Sequence, residues 1–209
     1  MSTRNLAFFL IVLVPGCDTS YPPDTCRTPP CHPPFGSLYV SPTVPENLLY
    51  NLQVSYRNRE IEHYAQLLAP ELIFQFQPID ANDIGTQFWT RDQDSKGTRA
   101  LLTTTLVSEI RINLTYSGRD TTINFPGTPL DSLKIRIITT DLQVDQTDGI
   151  TWVVTDQQDL FFRKGLPAKA ENPNYWWIYE WDDLPTLSAP AIAVESITWG
   201  GLKARYGKG

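Results

Sequence analysis

Eight prolines fall between Cys17 and Glu46: Pro22, Pro23, Pro29, Pro30, Pro33, Pro34, Pro42 and Pro45. Each removes a backbone donor and locks a dihedral, so neither a helix nor a strand ladder can run through this stretch. Residues 17–45 therefore read as an extended, partly stiff tether. Whatever folds must begin near residue 46, and the rest of the 209-residue chain is long enough for one cored domain.

Ahead of the tether the chain reads MSTRNLAFFLIVLVPGC, with one basic residue, Arg4, and an apolar run from Leu6 to Val14. A helix needs roughly 20 apolar residues to span a bilayer, so this run reads as a signal peptide over residues 1–16. Gly16 directly before Cys17 resembles the bacterial lipobox, although Pro15 departs from its usual composition. That resemblance implies acylation of Cys17 by diacylglyceryl and palmitate-type chains and a lipid-anchored place in the bacterial cell envelope, with the membrane as partner. An ordinary signal peptide cut nearby would instead leave Cys17 as one of three thiols. Cys26 and Cys31, an even pair in an exported chain, read as a short-loop disulfide ahead of free thiols. A metal site with His32 lacks a fourth ligand, so neither metal nor cofactor is expected.

The whole chain carries a net charge of −6, and loss of the leader removes only Arg4. Without clustered Lys or Arg, an acidic surface excludes nucleic acid as a partner.

From Glu46 to Ala69 the residues Leu48, Leu49, Leu52 and Tyr56, then Ile61, Tyr64, Ala65 and Leu68, recur at three- and four-residue steps. This predicts two helices with a phase change near Asn58, which could cap the second, while Pro70 ends the run. Leu72–Phe76 reads as a short strand and Thr90–Val107 as a helix that tolerates Gly97. Alternation then takes over, at Ile110, Ile112, Leu114 and Tyr116, and at Leu133, Ile135 and Ile137. The pattern changes parity after Ile138, which predicts a bulge. Asp148-Gly149 predicts a hairpin turn. Ile150–Val154, Leu160–Phe162 and the segment YWWIYEW at 175–181 complete a long β region. In that last segment, alternation groups Tyr175, Trp177, Tyr179 and Trp181 toward the helices and Trp176, Ile178 and Glu180 away from them.

Helices first and an antiparallel sheet second predict an α+β domain with N-terminal helices packed on a curved sheet. The segments YAQLLAPELIFQF, FWTRD, TDQQDLFFRK and YWWIYEWDDLP resemble the nuclear transport factor 2-like family, including its SnoaL-like and cystatin-like members, over residues 46–184. Residues 185–209 form a tail whose ESITWGGLKARYG resembles the tail of bacterial lipoproteins with this domain. The resemblance implies a cone between sheet and helices, in which enzymes such as ketosteroid isomerases and dehydratases use an Asp or an Asp-His pair.

Against that pattern, His32 lies in the tether, and His63 lies beside the helical stripe rather than in it. Asp141, Asp156 and Asp159 occur in or beside strands, where a carboxylate facing an apolar cone could act as a base. Bends and the wet face of the sheet account for them better. Asp141, Asp156 and His63 are the catalytic candidates, and no triad, phosphate loop or zinc pair accompanies them. Trp176 and Trp177 are the candidates for a stacked ligand, with packing as the alternative. The expected function is a noncatalytic, lipid-anchored envelope module that binds a small ligand or a protein partner. The alternative is a small isomerase- or dehydratase-type enzyme with a buried carboxylate in the cone.

Overall fold

A computed structural model describes residues 38–122, 131–184 and 195–207. Cys17, Cys26 and Cys31 lie outside the described residues, as do the signal peptide and most of the tether.

Helix α1 spans Pro45–Arg57, with proline in its first turn, where its missing donor costs nothing, Glu46 beside it and Arg57 in the last turn. Leu48, Leu49, Leu52 and Tyr56 are fully buried along one face. Asn58 ends α1 rather than capping the next helix, its backbone N–H bonding Val54. Arg59 then takes a left-handed φ of 60°, which makes the phase change. Its guanidinium donates to the carbonyls of Leu102, Thr104 and Val107, tying this corner to a later helix end. Helix α2 is short, Ile61–Gln66.

Strand β1 follows at once, Leu68–Gln75. Pro70 therefore sits in a strand rather than stopping a helix. Its register against the parallel neighbour shifts between Leu68 and Ile73, an irregularity in which proline costs no ladder bond. Helix α3, Pro78–Ile84, closed by Gly85 at φ 83°, and strand β2, Phe88–Thr90, have no counterpart in the periodicity reading. Helix α4 spans Arg91–Thr103, opened by Thr90, whose backbone N–H bonds the Gln93 side chain at 2.9 Å. It stops short of Val107, which begins strand β3, Val107–Tyr116.

Strand β4, Ser132–Gln146, is the spine of the sheet. Its first half pairs with β6 (Gln157–Lys164), its second half with β5 (Thr151–Val154), and β3 lies along its other edge. Thr115 opposes Thr139 but Tyr116 opposes Ile137. Ile138 is thus the expected bulge, and it keeps Leu133, Ile135 and Ile137 on the buried side with Leu142 and Val144. The Asp148-Gly149 turn joins β4 to β5, with Gly149 at φ 87°. Strand β7, Trp176–Leu184, lies between β6 and β1. The pairings among β3 to β7 in this spine are antiparallel, while β1–β7 and β5–β8 (Glu195–Ser196) are parallel, so the curled sheet is mixed. Helix α5, Trp199–Gly207, is the last element among the described residues.

The last long strand does not keep a single parity. Phe162 opposes Ile178 while Phe161 opposes Glu180, so Tyr179 is bulged out. The core therefore takes Ile178 before the bulge and Trp181 after it, with Trp176 packed at its border. Trp177 points to the opposite face and is buried there at 2% exposure, across the ladder from Arg163. The grouping expected from alternation is corrected: it holds for Trp181 and fails for Trp177 and Ile178.

Candidate functional site

The interior of the cone is lined by α1, α2 and α4 on one side and by β1, β4, β6 and β7 on the other. It is occupied by the chain's own C-terminal segment. Ser196 runs parallel to Val153 of β5, and Ile197 continues with a backbone bond to Val153. This feeds α5 into the core, where Trp199 and Leu202 have no exposure.

The sequence permits this entry at two glycines. A Cβ on Gly97 of α4 would meet the Trp89 ring at 2.8 Å and the Lys203 carbonyl at 3.1 Å, so the two helices cross at a position without a side chain. A Cβ on Gly200 would meet Phe76 at 2.6 Å.

Carboxylates hold the segment. The Trp199 backbone N–H donates to Asp156 Oδ2 and the Gly200 N–H to Asp183 Oδ2, each at 2.9 Å. Two of the four unpaired donors of the helix N-terminus are thereby satisfied by acids, which the helix dipole also favours. Just before the helix, the Thr198 hydroxyl donates to Asp80 and accepts from the Gly201 N–H. The Trp199 indole donates to Tyr56 Oη at 3.0 Å. One turn on, Lys203 Nζ donates to Asp94 Oδ1 at 2.5 Å and to Tyr64 Oη at 2.9 Å, and Tyr64 in turn donates to Asp94 Oδ2 at 2.5 Å. The ammonium lies 4.4 Å from the ring centroids of both Phe74 and Trp181.

Burial governs the protonation of this cluster. It pushes the Asp183 carboxyl well above its ordinary range, aided by the neighbouring charge of Asp156. It raises Asp80 as well, lowers Lys203 against the pull of Asp94, and keeps Tyr56 and Tyr64 protonated.

The residues singled out in the sequence are not brought together. Asp156 is in the cone, at 3% exposure, and there it caps α5. Asp141 is exposed on β4, lining a groove of about 440 Å³ with Arg57, Arg111, Asn113 and Gln143. His63 lies on α2 with its ring stacked on Tyr39, 4.0 Å between centroids, and Nδ1 3.4 Å from Glu60. Asp159 faces away from the cone, in a bidentate pair with Arg136 at 2.7 Å. Trp176 is half-buried with Lys164 over its ring at 5.8 Å. Neither Trp176 nor Trp177 lines that groove or the second one, of about 510 Å³, beside α3.

Asp94, Asp183 and Lys203 escaped the sequence reading, which placed Tyr64 only as a member of the helical stripe. A signal was present: Asp94 falls on the helical stripe with Thr98, Leu101 and Leu102, and Lys203 falls beside Leu202 and four residues after Trp199. A charge on each of two buried stripes calls for its opposite. Among the described residues no group of three His, Cys, Asp or Glu side chains is placed to hold a metal, and no helix is long and apolar enough to cross a membrane.

No protein-family model and no curated protein matches the sequence. Solved structures are similar in overall chain path. A nuclear transport factor 2-like superfamily protein from Salmonella enterica matches with a TM-score of 0.49 at 12% identity, over 69% of this chain and 89% of its own. A cystatin-like-fold protein from Caulobacter vibrioides gives 0.47 at 16% identity, over 69% and 87%. A hexachlorocyclohexane dehydrochlorinase gives 0.44 at 8% identity, over 74% and 91%. The cone of helices over a curled, mixed sheet is read from this chain's own strand order and pairings.

Proposed function

We propose that this chain is a lipid-anchored envelope module, exported by residues 1–16, held at the membrane through acylated Cys17 and spaced from it by the tether, and that it works by binding rather than catalysis. The observation that carries the noncatalytic part is the occupancy of the cone. Asp80, Asp94, Asp156 and Asp183 are each engaged by residues 198–203, so these four carboxylates around the cone are committed to holding the tail.

The enzyme reading draws on one feature, the Asp183 carboxyl raised by burial, which is the behaviour of a general base. That reading requires Gly200 to leave Asp183 before any substrate can approach. The two readings separate on a fluorescent apolar dye such as anilinonaphthalene sulfonate, added to the native full chain. A filled cone leaves the dye dark and tryptophan emission unchanged. Stoichiometric dye binding that quenches tryptophan would show an open cone and favour the enzyme.

A further inference from the structure

The polar lining around Lys203 exceeds what anchoring a helix requires. Neither partner in the Lys203–Asp94 pair has any side-chain exposure, and burying two such charges costs several kcal/mol per ion before attraction offsets it. A well-packed apolar pair would hold α5 at least as firmly. The ammonium is nonetheless fully provided for. Asp94 Oδ1 and Tyr64 Oη accept its protons, the faces of Phe74 and Trp181 stand at 4.4 Å, and Tyr64 and Trp199 lie at 5.4 and 6.0 Å. A carboxylate, a hydroxyl and an aromatic enclosure together are how proteins recognise an alkylammonium group. Two directional acceptors demand N–H donors, which selects a primary amine over a quaternary one.

The tail also leaves part of the lining unused. Trp181 Nε1, Gln158 Nε2 and Asp183 Oδ1 are buried without a hydrogen-bond partner among the described residues. All three belong to the strands that form the wall facing α5, and a buried polar atom left unpaired is costly. The cone thus offers two donors and an acceptor that its present occupant does not meet.

We propose that the cone is a recognition site for a primary alkylammonium group, filled in this structure by the chain's own Lys203, and that a small primary amine takes that place when residues 195–207 withdraw. The proposal rests on the reading of the domain as a binding module and names its ligand class. The tail then acts as an internal competitor, and ligand binding is coupled to release of the C-terminal helix.

Chemical rescue in the full chain tests it. Lys203→Ala deletes three methylenes and the ammonium, which is the skeleton of n-propylamine. n-Propylammonium chloride at constant ionic strength should raise the thermal midpoint of Lys203→Ala saturably, as mass action on a folded-state site requires, and leave the wild-type midpoint unmoved. n-Propanol and n-propyltrimethylammonium should not, and adding Asp94→Asn should abolish the effect. If Lys203→Ala is unfolded alone, amine-dependent recovery of its near-ultraviolet dichroism gives the same readout. No rescue, or equal shifts in variant and wild type, overturns the ammonium site. Trypsin applied to the wild type separates this from failure of the parent reading. A Lys203–Ala204 bond that resists cleavage shows the tail in place, so absent rescue then refutes the ammonium site alone. Rapid cleavage there refutes the filled cone itself.

Discussion

Lys203 Nζ and Asp94 Oδ1 meet at 2.5 Å with neither side chain exposed. The pair joins the last helix of the chain to α4, across more than a hundred residues of sequence, and Tyr64 closes the triangle from α2. Removing one member leaves the other as an uncompensated buried charge, which costs about 3–5 kcal/mol. Asp94→Ala should therefore lose that much in urea unfolding. Asp94→Leu combined with Lys203→Met should lose far less than the sum of the single changes, because the volume is kept and no charge is stranded.

Gly97 makes a prediction of opposite sign to helix propensity. Alanine in a helix interior is favoured over glycine by about 1 kcal/mol, yet a Cβ here meets the Trp89 ring at 2.8 Å and the Lys203 carbonyl at 3.1 Å. Overpacking of this kind costs about 1–3 kcal/mol. Gly97→Ala should lower the urea midpoint at unchanged slope, whereas a gain in stability would mean that α5 does not lie against α4.

The two features show what a sequence reading can and cannot deliver. Periodicity places α1, β3, β4 and the bulge at Ile138 because each buries one regular stripe. Gly97 reads as a blemish in a helix, since nothing local says that a helix more than a hundred residues later will cross there. Tyr179 hides for a related reason. A bulge is an agreement between two strands, and alternation within YWWIYEW alone cannot reveal it. The tail falls outside the reach of periodicity because its nine-residue helix carries a lysine on its buried face, a choice that makes sense only once Asp94 is known to be waiting.

The bulge changes which tryptophan matters most. Trp181 has no exposure and packs against Phe74 and Trp199 at 5.6 and 4.9 Å, so Trp181→Ala should cost about 3–5 kcal/mol. Trp176→Ala, at the half-buried border of the core, should cost well under half of that. Urea midpoints of the two single variants check the order, and a larger loss at Trp176 would contradict the register shift.

Stability should fall as the solution is made less acidic, through two carboxyls of β7. Burial and then the charges of Glu180 and Asp159 push Asp182 from its ordinary 3.8 to about 6, and burial also raises Asp183 well above its ordinary range inside the core. Between the unfolded and folded values the folded chain holds the extra proton, so stability declines with rising pH across that window. For Asp182 it runs from pH 3.8 to about 6, and for Asp183 it opens upward from the same ordinary value. Glu46, Glu71 and Asp159, held low, act oppositely and lose their contribution as pH falls below the ordinary carboxylate range. Asp182→Asn should flatten the thermal midpoint between about pH 4 and 6, and a slope identical to wild type would exclude the shift.

The anchor has a direct chemical test. Cells expressing the full precursor should incorporate radiolabelled palmitate into the protein, and Cys17→Ser should abolish the label. Persistent labelling of that variant would move the lipid elsewhere or remove the case for it.

Native-state hydrogen exchange at the backbone amides of Trp199, Gly200 and Leu202 tests the filled cone most directly. These amides bond to Asp156, Asp183 and the Thr198 carbonyl. If the C-terminal helix occupies the core of the ligand-free chain, they should exchange far more slowly than exposed amides and approach the protection of β6 and β7, short of it by whatever release of the helix precedes global unfolding. Exchange at the rate of an exposed, unprotected segment, while those strands stay protected, would show that the cone stands open and that its carboxylates are free.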